Sequence, residues 1–337
     1  MPAVDIGQRF DFSTLQPDLI LDALQHYGLD VSSGLLALNS YENRVYQFNA
    51  YRDAAVRPEK MVVKFYRPQR WTPAQIQEEH QFAFELAAAE IPVVAPLLFA
   101  GESLLGYQGF YFAVFPSRGG RTLEIDNDDQ LAMLGRFLGR MHQVGRKQVF
   151  TERPELSVQS HLQHSQQVLA ELELIPGYLR PAFDSALQQV IAEATRQYQP
   201  KKLIRLHGDC HAGNLFYTGE SPFFVDLDDC RSGPAMQDIW MMLSGDRRQQ
   251  RETLELMLEE YEQYCDFDPA ELKLIEPLRA MRMIHYMAWL ARRWQDQAFL
   301  MNFPWFATDK YWEQQCLALK EQLALLQQPP LSLVPDY

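Results

Sequence analysis

The chain has 337 residues, 47% of them hydrophobic and 22% charged, a balance that excludes an extended disordered protein and leaves room for one large or two medium domains of ~100–200 residues. Its formal charge of −13 argues against non-specific binding to nucleic acid or to anionic membranes, while leaving open a local basic patch for phosphates. No run reaches the ~18 apolar residues of a membrane span, and Met1-Pro2-Ala3-Val4-Asp5 has neither the basic start nor the apolar core of a leader, so a cytoplasmic location is expected.

Residues 14–27 read as an amphipathic helix, with Leu19, Ile20, Ala23, Leu24 and Tyr27 at helical spacing and Gly28 as its stop. Leu35–Leu38 and Arg44–Phe48 read as strands around the polar turn Asn39–Asn43, with Ser40 at its tip. After a polar connection, Tyr51–Glu59, a third strand Met61–Phe65 carries one cation, Lys64, among apolar neighbours. A lysine there either faces solvent or is buried against an anion, and a nucleotide α/β-phosphate would be such a partner. Thr72-Pro73 caps a helix that runs to about Ala89 and carries Glu78 and Glu79. Val94–Ala100 and Gly109–Phe115 complete a five-stranded antiparallel sheet, joined by a turn at Gly101–Gly106. Pro116–Arg121 breaks the pattern. The expected organisation is therefore α+β, with residues 1–116 as a sheet-bearing part and 117–337 as a mainly helical one.

In that second part Leu131, Leu134, Phe137, Leu138 and Met141 mark a core-facing helix over 128–145. Further helices are expected within 151–200, broken at Pro176-Gly177 and Pro181, and over Ala235–Leu243, Arg248–Cys265, Pro269–Trp294 and Lys310–Leu326. Trp240, Trp289, Trp294 and Trp305 read as core or helix-seam aromatics, and Arg279, Arg282, Arg292 and Arg293 as a solvated helix face. The four cysteines, Cys210, Cys230, Cys265 and Cys316, follow no framework spacing, so no disulfide is expected.

The chemistry concentrates in residues 205–229. Two apolar strand-like runs, Leu203–Leu206 and Phe223–Val225, each deliver an acidic residue past their ends, Asp209 and Asp226, and Asn214 lies between them. The turn formers Thr218–Pro222 fold the second run back beside Leu215–Tyr217, which would bring Asn214 and Asp226 together. An amide oxygen and a carboxylate are hard ligands suited to Mg²⁺, which completes its shell with nucleotide phosphates. Asp209 is then free to orient a hydroxyl nucleophile. Two other readings compete: a soft-metal site at His207, Cys210 and His211, which lacks a second ligand pair, and a purely structural acidic turn.

An Asp with an Asn five positions on and a later Asp is the pattern of the protein-kinase phosphotransfer loop, although Gly208 replaces its Arg. His207–Asn214 more closely resembles the loop of aminoglycoside phosphotransferases and choline kinases. Val225-Asp226, Gly233-Pro234 and Asp238 follow the same pattern without its middle Asp. Together with Asn39–Phe48, Val62–Pro68, Arg70-Trp71 and Asn302–Trp305, these stretches resemble the bacterial stress response kinase A family from about residue 10 to the C-terminus. The resemblance implies a bilobal protein-kinase-like fold and a cytoplasmic, ATP- and Mg²⁺-dependent serine/threonine protein kinase of the stress response, itself a phosphoprotein.

By that resemblance Asp209 accepts the proton, Asn214 and Asp226 bind Mg²⁺, and Ser40 and Lys64 meet the nucleotide. One of Glu78 and Glu79 pairs with Lys64, Glu79 fitting better by its distance to Ile91-Pro92 in the phosphotransferase pattern, and the kinase resemblance places adenine against the backbone around Phe115–Ser117. The implied partners are ATP and a protein bearing a Ser or Thr hydroxyl, with no nucleic acid or membrane, and the chain is expected to be a monomer. After Asp226, Leu227–Gly233 is too short for a regulated activation loop. Fold does not fix substrate, so a kinase of an amino alcohol, aminoglycoside or homoserine is the main rival, and a pseudokinase-like binding scaffold is a rival of another class.

Overall fold

The computed structural model describes residues 12–52, 56–219 and 221–333. The start Met1–Asp5 and the middle of the Tyr51–Glu59 and Thr218–Pro222 connections lie outside the described residues. The chain forms two compact units: one runs to Arg121 and takes in Phe216–Asp228, and the other comprises Thr122–Leu215 and the chain from Asp229 onward.

The first unit is built on an antiparallel sheet of β1 (Leu29–Val31), β2 (Leu36–Ala37), β3 (Arg44–Arg52), β4 (Glu59–Phe65), β5 (Leu105–Tyr107) and β6 (Phe110–Pro116). Its order is β1-β3-β4-β6-β5, with β2 also paired to β3. The antiparallel kind is as expected, and the count is six rather than five. Val94–Ala100 is no strand: Pro96 cannot donate to a ladder, and the segment meets β6 through the Leu97 amide on the Val114 carbonyl at 2.7 Å. The edge place goes instead to β5, in the stretch expected as a turn.

Helix α1 (Pro17–His26) packs Ile20, Ala23 and Leu24 against Phe48, Met61, Val63, Phe65, Phe112 and Val114 on one sheet face. Side chains alternate along a strand, so Lys64, between Val63 and Phe65, belongs to the opposite face. There Tyr66 and Ala113 pack on Ile76 of α2 (Pro73–Ala88). Helix α2 starts with a full capping box: Thr72 Oγ1 accepts the Gln75 amide at 3.2 Å, and Gln75 Oε1 accepts the Thr72 amide at 2.9 Å. That fixed start places Glu79 and His80 on the buried side beside Phe82 and Leu86. The strands Leu215–Tyr217 and Pro222–Phe224 pair, and the Phe224 amide docks on the Pro92 carbonyl at 2.8 Å.

The second unit is mainly helical, with α3 (Asp128–Gly145), α4 (His164–Ala170), α5 (Arg180–Gln197), α6 (Met236–Ile239), α7 (Arg247–Tyr261), α8 (Ile275–Arg293), α9 (Gln297–Asn302) and α10 (Asp309–Leu326). Gly135 and Gly139 let α3 approach α7 closely, since a Cβ at either would stand 2.2 Å from the Met257 carbonyl oxygen or 2.4 Å from that of Tyr261. Helices α5, α8 and α10 pack together, with Phe183 edge-on to Trp312 at 5.6 Å.

The helix expected over Pro269–Trp294 is two elements, a 3₁₀ turn Pro269–Leu274 and then α8. Pro277 has no N–H to give, which suits only a first helical turn, so a new helix starts at Ile275. Trp305, expected in the core or a seam, is 39% exposed. All four cysteines are free and buried. Among the described residues, no helix is long and apolar enough to cross a membrane.

Candidate active site

In the first unit the face of the sheet under α2 holds a charged cluster around Lys64. Lys64 Nζ lies 3.3 Å from Glu79 Oε1, 3.3 Å from Asp226 Oδ1 and 3.0 Å from Asp228 Oδ1. Lys64, Glu79 and Asp228 are all buried, a placement that a lone ammonium would not tolerate without partners of opposite charge. Burial alone would lower the Lys64 pKa, but Asp228, Glu79, Tyr66 and Asp226 outweigh it and hold it well above its ordinary value. The partner on α2 is Glu79. It is itself positioned: Tyr66 donates to Glu79 Oε1 at 3.3 Å, and the Tyr66 hydroxyl meets His80 Nε2 at 2.7 Å. On its other ring nitrogen His80 meets Ser103 Oγ at 2.8 Å.

Asp228 bonds both Lys64 and the Arg70 guanidinium. Arg67 lies 3.1 Å and Arg70 3.7 Å from Glu42 Oε1. Within this network three cations, Lys64, Arg67 and Arg70, face four carboxylates, those of Glu42, Glu79, Asp226 and Asp228. Asp226 is the open member, its side chain 53% exposed. It has a φ of +61°, a left-handed conformation that costs a non-glycine residue ~1–2 kcal/mol and is found where surroundings over-determine a functional side chain. Ser40 lies in the connection between β2 and β3, half-buried.

In the second unit the strand Ile204–Leu206 pairs antiparallel with Arg231–Gly233 and runs into the loop that carries Asp209. The loop is held by its main chain. Buried Asp238 accepts the His207 amide at 2.8 Å and the Gly208 amide at 2.9 Å, while Gln237 Nε2 donates to the Gly208 carbonyl at 3.0 Å. His142 Nε2 lies 3.2 Å from Asp238, and its Nδ1 meets the Tyr261 hydroxyl at 2.8 Å. Gly208 has a φ of +86°, and a Cβ there would stand 2.2 Å from the Asp229 carbonyl oxygen. No arginine fits where this loop turns.

Past that turn, Asn214 Nδ2 donates to the Asp209 carbonyl at 3.0 Å, which leaves Asn214 Oδ1 as the atom available to a cation. The Asp209 carboxylate meets the Arg282 guanidinium through Oδ1, and its Oδ2 lies 3.3 Å from His211 Nε2. Burial would raise the Asp209 carboxyl pKa, yet the His211 hydrogen bond and the charge of Arg282 prevail and hold it below the carboxylate range. Such a residue stays ionised and can orient a hydroxyl. Cys210 is a poor metal thiolate, because burial, then Asp238 and Asp209, push its thiol well above its ordinary value. Among the described residues no three His, Cys, Asp or Glu side chains gather as a metal site.

Sequence reasoning missed Asp228, Arg70 and Arg282 as members of these clusters. Asp228, two residues past Asp226, and Arg70 within the quoted Arg70-Trp71 stretch were visible only as parts of motifs. Arg282 reads in the sequence as one of four arginines on a solvated helix face.

Residues 35–275 match the phosphotransferase enzyme family. Over 332 residues the chain is 53% identical to stress response kinase A of Escherichia coli (strain K12), covering 98% of this chain and 99% of that protein. It is 51% identical over 329 residues to the serine/threonine protein kinase RdoA of Salmonella typhimurium (strain LT2), covering 97% of this chain and 98% of that protein. Among solved structures, a microcompartment-associated aminopropanol kinase aligns over 95% of this chain and 100% of that one with a TM-score of 0.70 at 17% identity. Spectinomycin phosphotransferase aligns over 91% and 99% with a TM-score of 0.62 at 14% identity. At those identities the likeness is one of fold.

Proposed function

Because the chain belongs to the phosphotransferase enzyme family, and within it to the stress response kinase A family, we propose that it is an ATP- and Mg²⁺-dependent serine/threonine protein kinase. The observation that carries this reading is the buried ammonium of Lys64, held between Glu79 and the acidic pair Asp226 and Asp228. A cation held in place by buried Glu79 and Asp228 is positioned to receive α/β-phosphates, which would take the place of the exposed Asp226 on the ammonium.

Asn214 Oδ1 and the half-exposed Asp226 carboxylate are the proposed Mg²⁺ ligands, both hard oxygen donors. Bound there, the metal supplies compensation for phosphate charge. Ser40, half-buried in the connection between β2 and β3, is the proposed contact to the nucleotide, and the backbone around Phe115–Ser117 that to adenine. Asp209 orients the acceptor hydroxyl. As the acceptor oxygen bonds the γ-phosphorus, the bond to the β,γ-bridging oxygen breaks, ADP departs, and the hydroxyl proton passes to Asp209.

A protein acceptor is supported by the name of the Salmonella relative, which matches this chain nearly end to end. The rival reading, a kinase of an amino alcohol or aminoglycoside, is supported by fold alone. ATP consumption measured with and without Mg²⁺, followed by radiolabel transfer to generic protein substrates and to a panel of amino alcohols, tests the proposal. Mg²⁺-dependent labelling of Ser or Thr is the expected result. Efficient turnover of one small alcohol with none of protein overturns it.

A further inference from the structure

Asp209 has both carboxylate oxygens engaged. Arg282 donates to Oδ1, and Oδ2 lies 3.3 Å from His211 Nε2 and 3.5 Å from Asn214 Nδ2. Each carboxylate oxygen can accept two hydrogen bonds, so an acceptor hydroxyl that donates to Oδ1 comes to lie beside the Arg282 guanidinium. Asn214 is tied down by its second bond, to the Asp209 carbonyl. His211 is tied likewise, its Nδ1 accepting the Gly213 amide at 2.9 Å, so Arg282, which reaches in from α8 with its side chain 40% exposed, is the movable partner. One turn earlier, Arg279 is already paired with Glu276 at 3.2 Å and lies over the Trp240 ring at 5.7 Å. Among the described residues Asp209 is the carboxylate that Arg282 pairs with, and the rest of its planar donor set, partly open to solvent, is left for a second anion beside the acceptor hydroxyl.

We propose that Arg282 is a specificity-determining residue for the acceptor, selecting a hydroxyl with a carboxylate beside it, as on a Ser or Thr flanked by Asp or Glu. The inference rests on the phosphotransferase reading of Asp209. A guanidinium suits a carboxylate because its planar donors match both oxygens. The same charge repels an ammonium group, so amino alcohols and aminoglycosides are selected against. Arg282 thus supplies both halves of specificity, an attraction for one acceptor class and a repulsion for the other.

The test compares Mg·ATP-dependent phosphorylation of a Ser/Thr peptide library with acidic or basic residues scanned around the hydroxyl, together with ethanolamine as a cationic small alcohol. The wild-type chain, Arg282→Gln, Arg282→Glu and Arg282→Lys are used. The wild type is expected to favour acidic over basic flanks by about tenfold or more in kcat/KM. Arg282→Gln should flatten that ratio, Arg282→Glu should reverse it and admit ethanolamine, and Arg282→Lys should retain most of it. A ratio within one variant is unaffected by a general loss of activity, which separates charge selection from mere support of Asp209. An identical ratio in wild type, Arg282→Gln and Arg282→Glu overturns the inference and leaves the kinase reading standing. A wild type that phosphorylates no peptide overturns the protein-kinase reading, and the inference with it.

Discussion

The Asp238 carboxylate accepts the backbone amide of Gly208 at 2.9 Å, one residue ahead of Asp209. Its other oxygen takes the His207 amide at 2.8 Å, so the loop is fixed through main-chain bonds at His207 and Gly208. Asp238→Asn keeps the shape but offers one acceptor oxygen to two buried amides and turns an N–H donor toward one of them. Leaving a buried donor unsatisfied costs about 1–3 kcal/mol. The expected outcome is a lower Tm together with a lower kcat, measured by thermal melting and steady-state transfer. A variant with wild-type kcat would show that Asp209 holds its place without this support.

Lys64→Met keeps the bulk of the side chain and removes its charge from two buried carboxylates, Glu79 and Asp228. Breaking a buried pair by deleting one partner typically costs about 3–5 kcal/mol. The pKa of Lys64 is raised in the folded chain above its ordinary 10.5. Its contribution to stability is therefore complete below that ordinary value and lost as pH rises through the folded one. Urea unfolding between neutral and strongly alkaline pH should show a loss in the wild type that Lys64→Met lacks. Parallel curves for the two proteins would contradict the ion-pair account.

Much of this was legible in the sequence wherever a local signal carried it. Thr72-Pro73 announced α2, and the apolar stripe over 128–145 announced α3, because a cap and a 3.6-residue period are written in neighbouring residues. A lone charge in an apolar strand marked Lys64. The edge strands β1 and β5 were not legible, since three residues are too few to display a period of two. Val94–Ala100 looked like a strand by composition, and Pro96 decides otherwise. Choosing Glu79 over Glu78 needs the helix rotation, as adjacent residues differ by about 100° around the axis. Arg70 with Asp228 and Arg282 with Asp209 are 158 and 73 residues apart, and no local pattern predicts which distant charges meet.

Gly208→Ala and Gly219→Ala form a matched pair, both at positive φ, +86° and +96°. At Gly219 a Cβ meets nothing within 4 Å, so the cost is conformational, about 1–2 kcal/mol. At Gly208 the Cβ also collides with the Asp229 backbone, and one of two chain segments must move. Gly219→Ala should lower Tm slightly and leave transfer unchanged. Gly208→Ala should lower Tm further and reduce kcat, because the displaced segments carry Asp209 and Asp229. Equal effects on Tm and kcat would mean that the close approach has no bearing on the loop.

Asp209 allows role and structure to be separated. Burial pushes its carboxyl up, but the His211 hydrogen bond and Arg282 prevail and hold it below its ordinary 3.8. Its contribution to stability is therefore present above that value and lost as pH falls through the folded one. Between pH 5 and 8 it stays ionised in the free protein, so no acid limb of the kcat/KM profile belongs to it. Asp209→Asn keeps volume and one acceptor oxygen while removing charge and basicity. If the residue takes the acceptor proton, kcat should fall by about 10²–10⁴-fold, the usual contribution of a general base, and the Kd for Mg·ATP should change little. Arg282, 40% exposed, can be solvated in the variant, so Tm should fall only modestly. An aspartate that merely shapes the turn before Asn214 predicts the opposite pattern, a depressed Tm and weakened Mg·ATP binding together. Calorimetric titration of Mg·ATP into folded Asp209→Asn, paired with steady-state transfer, separates them: an unchanged kcat, or nucleotide binding lost along with stability, sinks the base assignment.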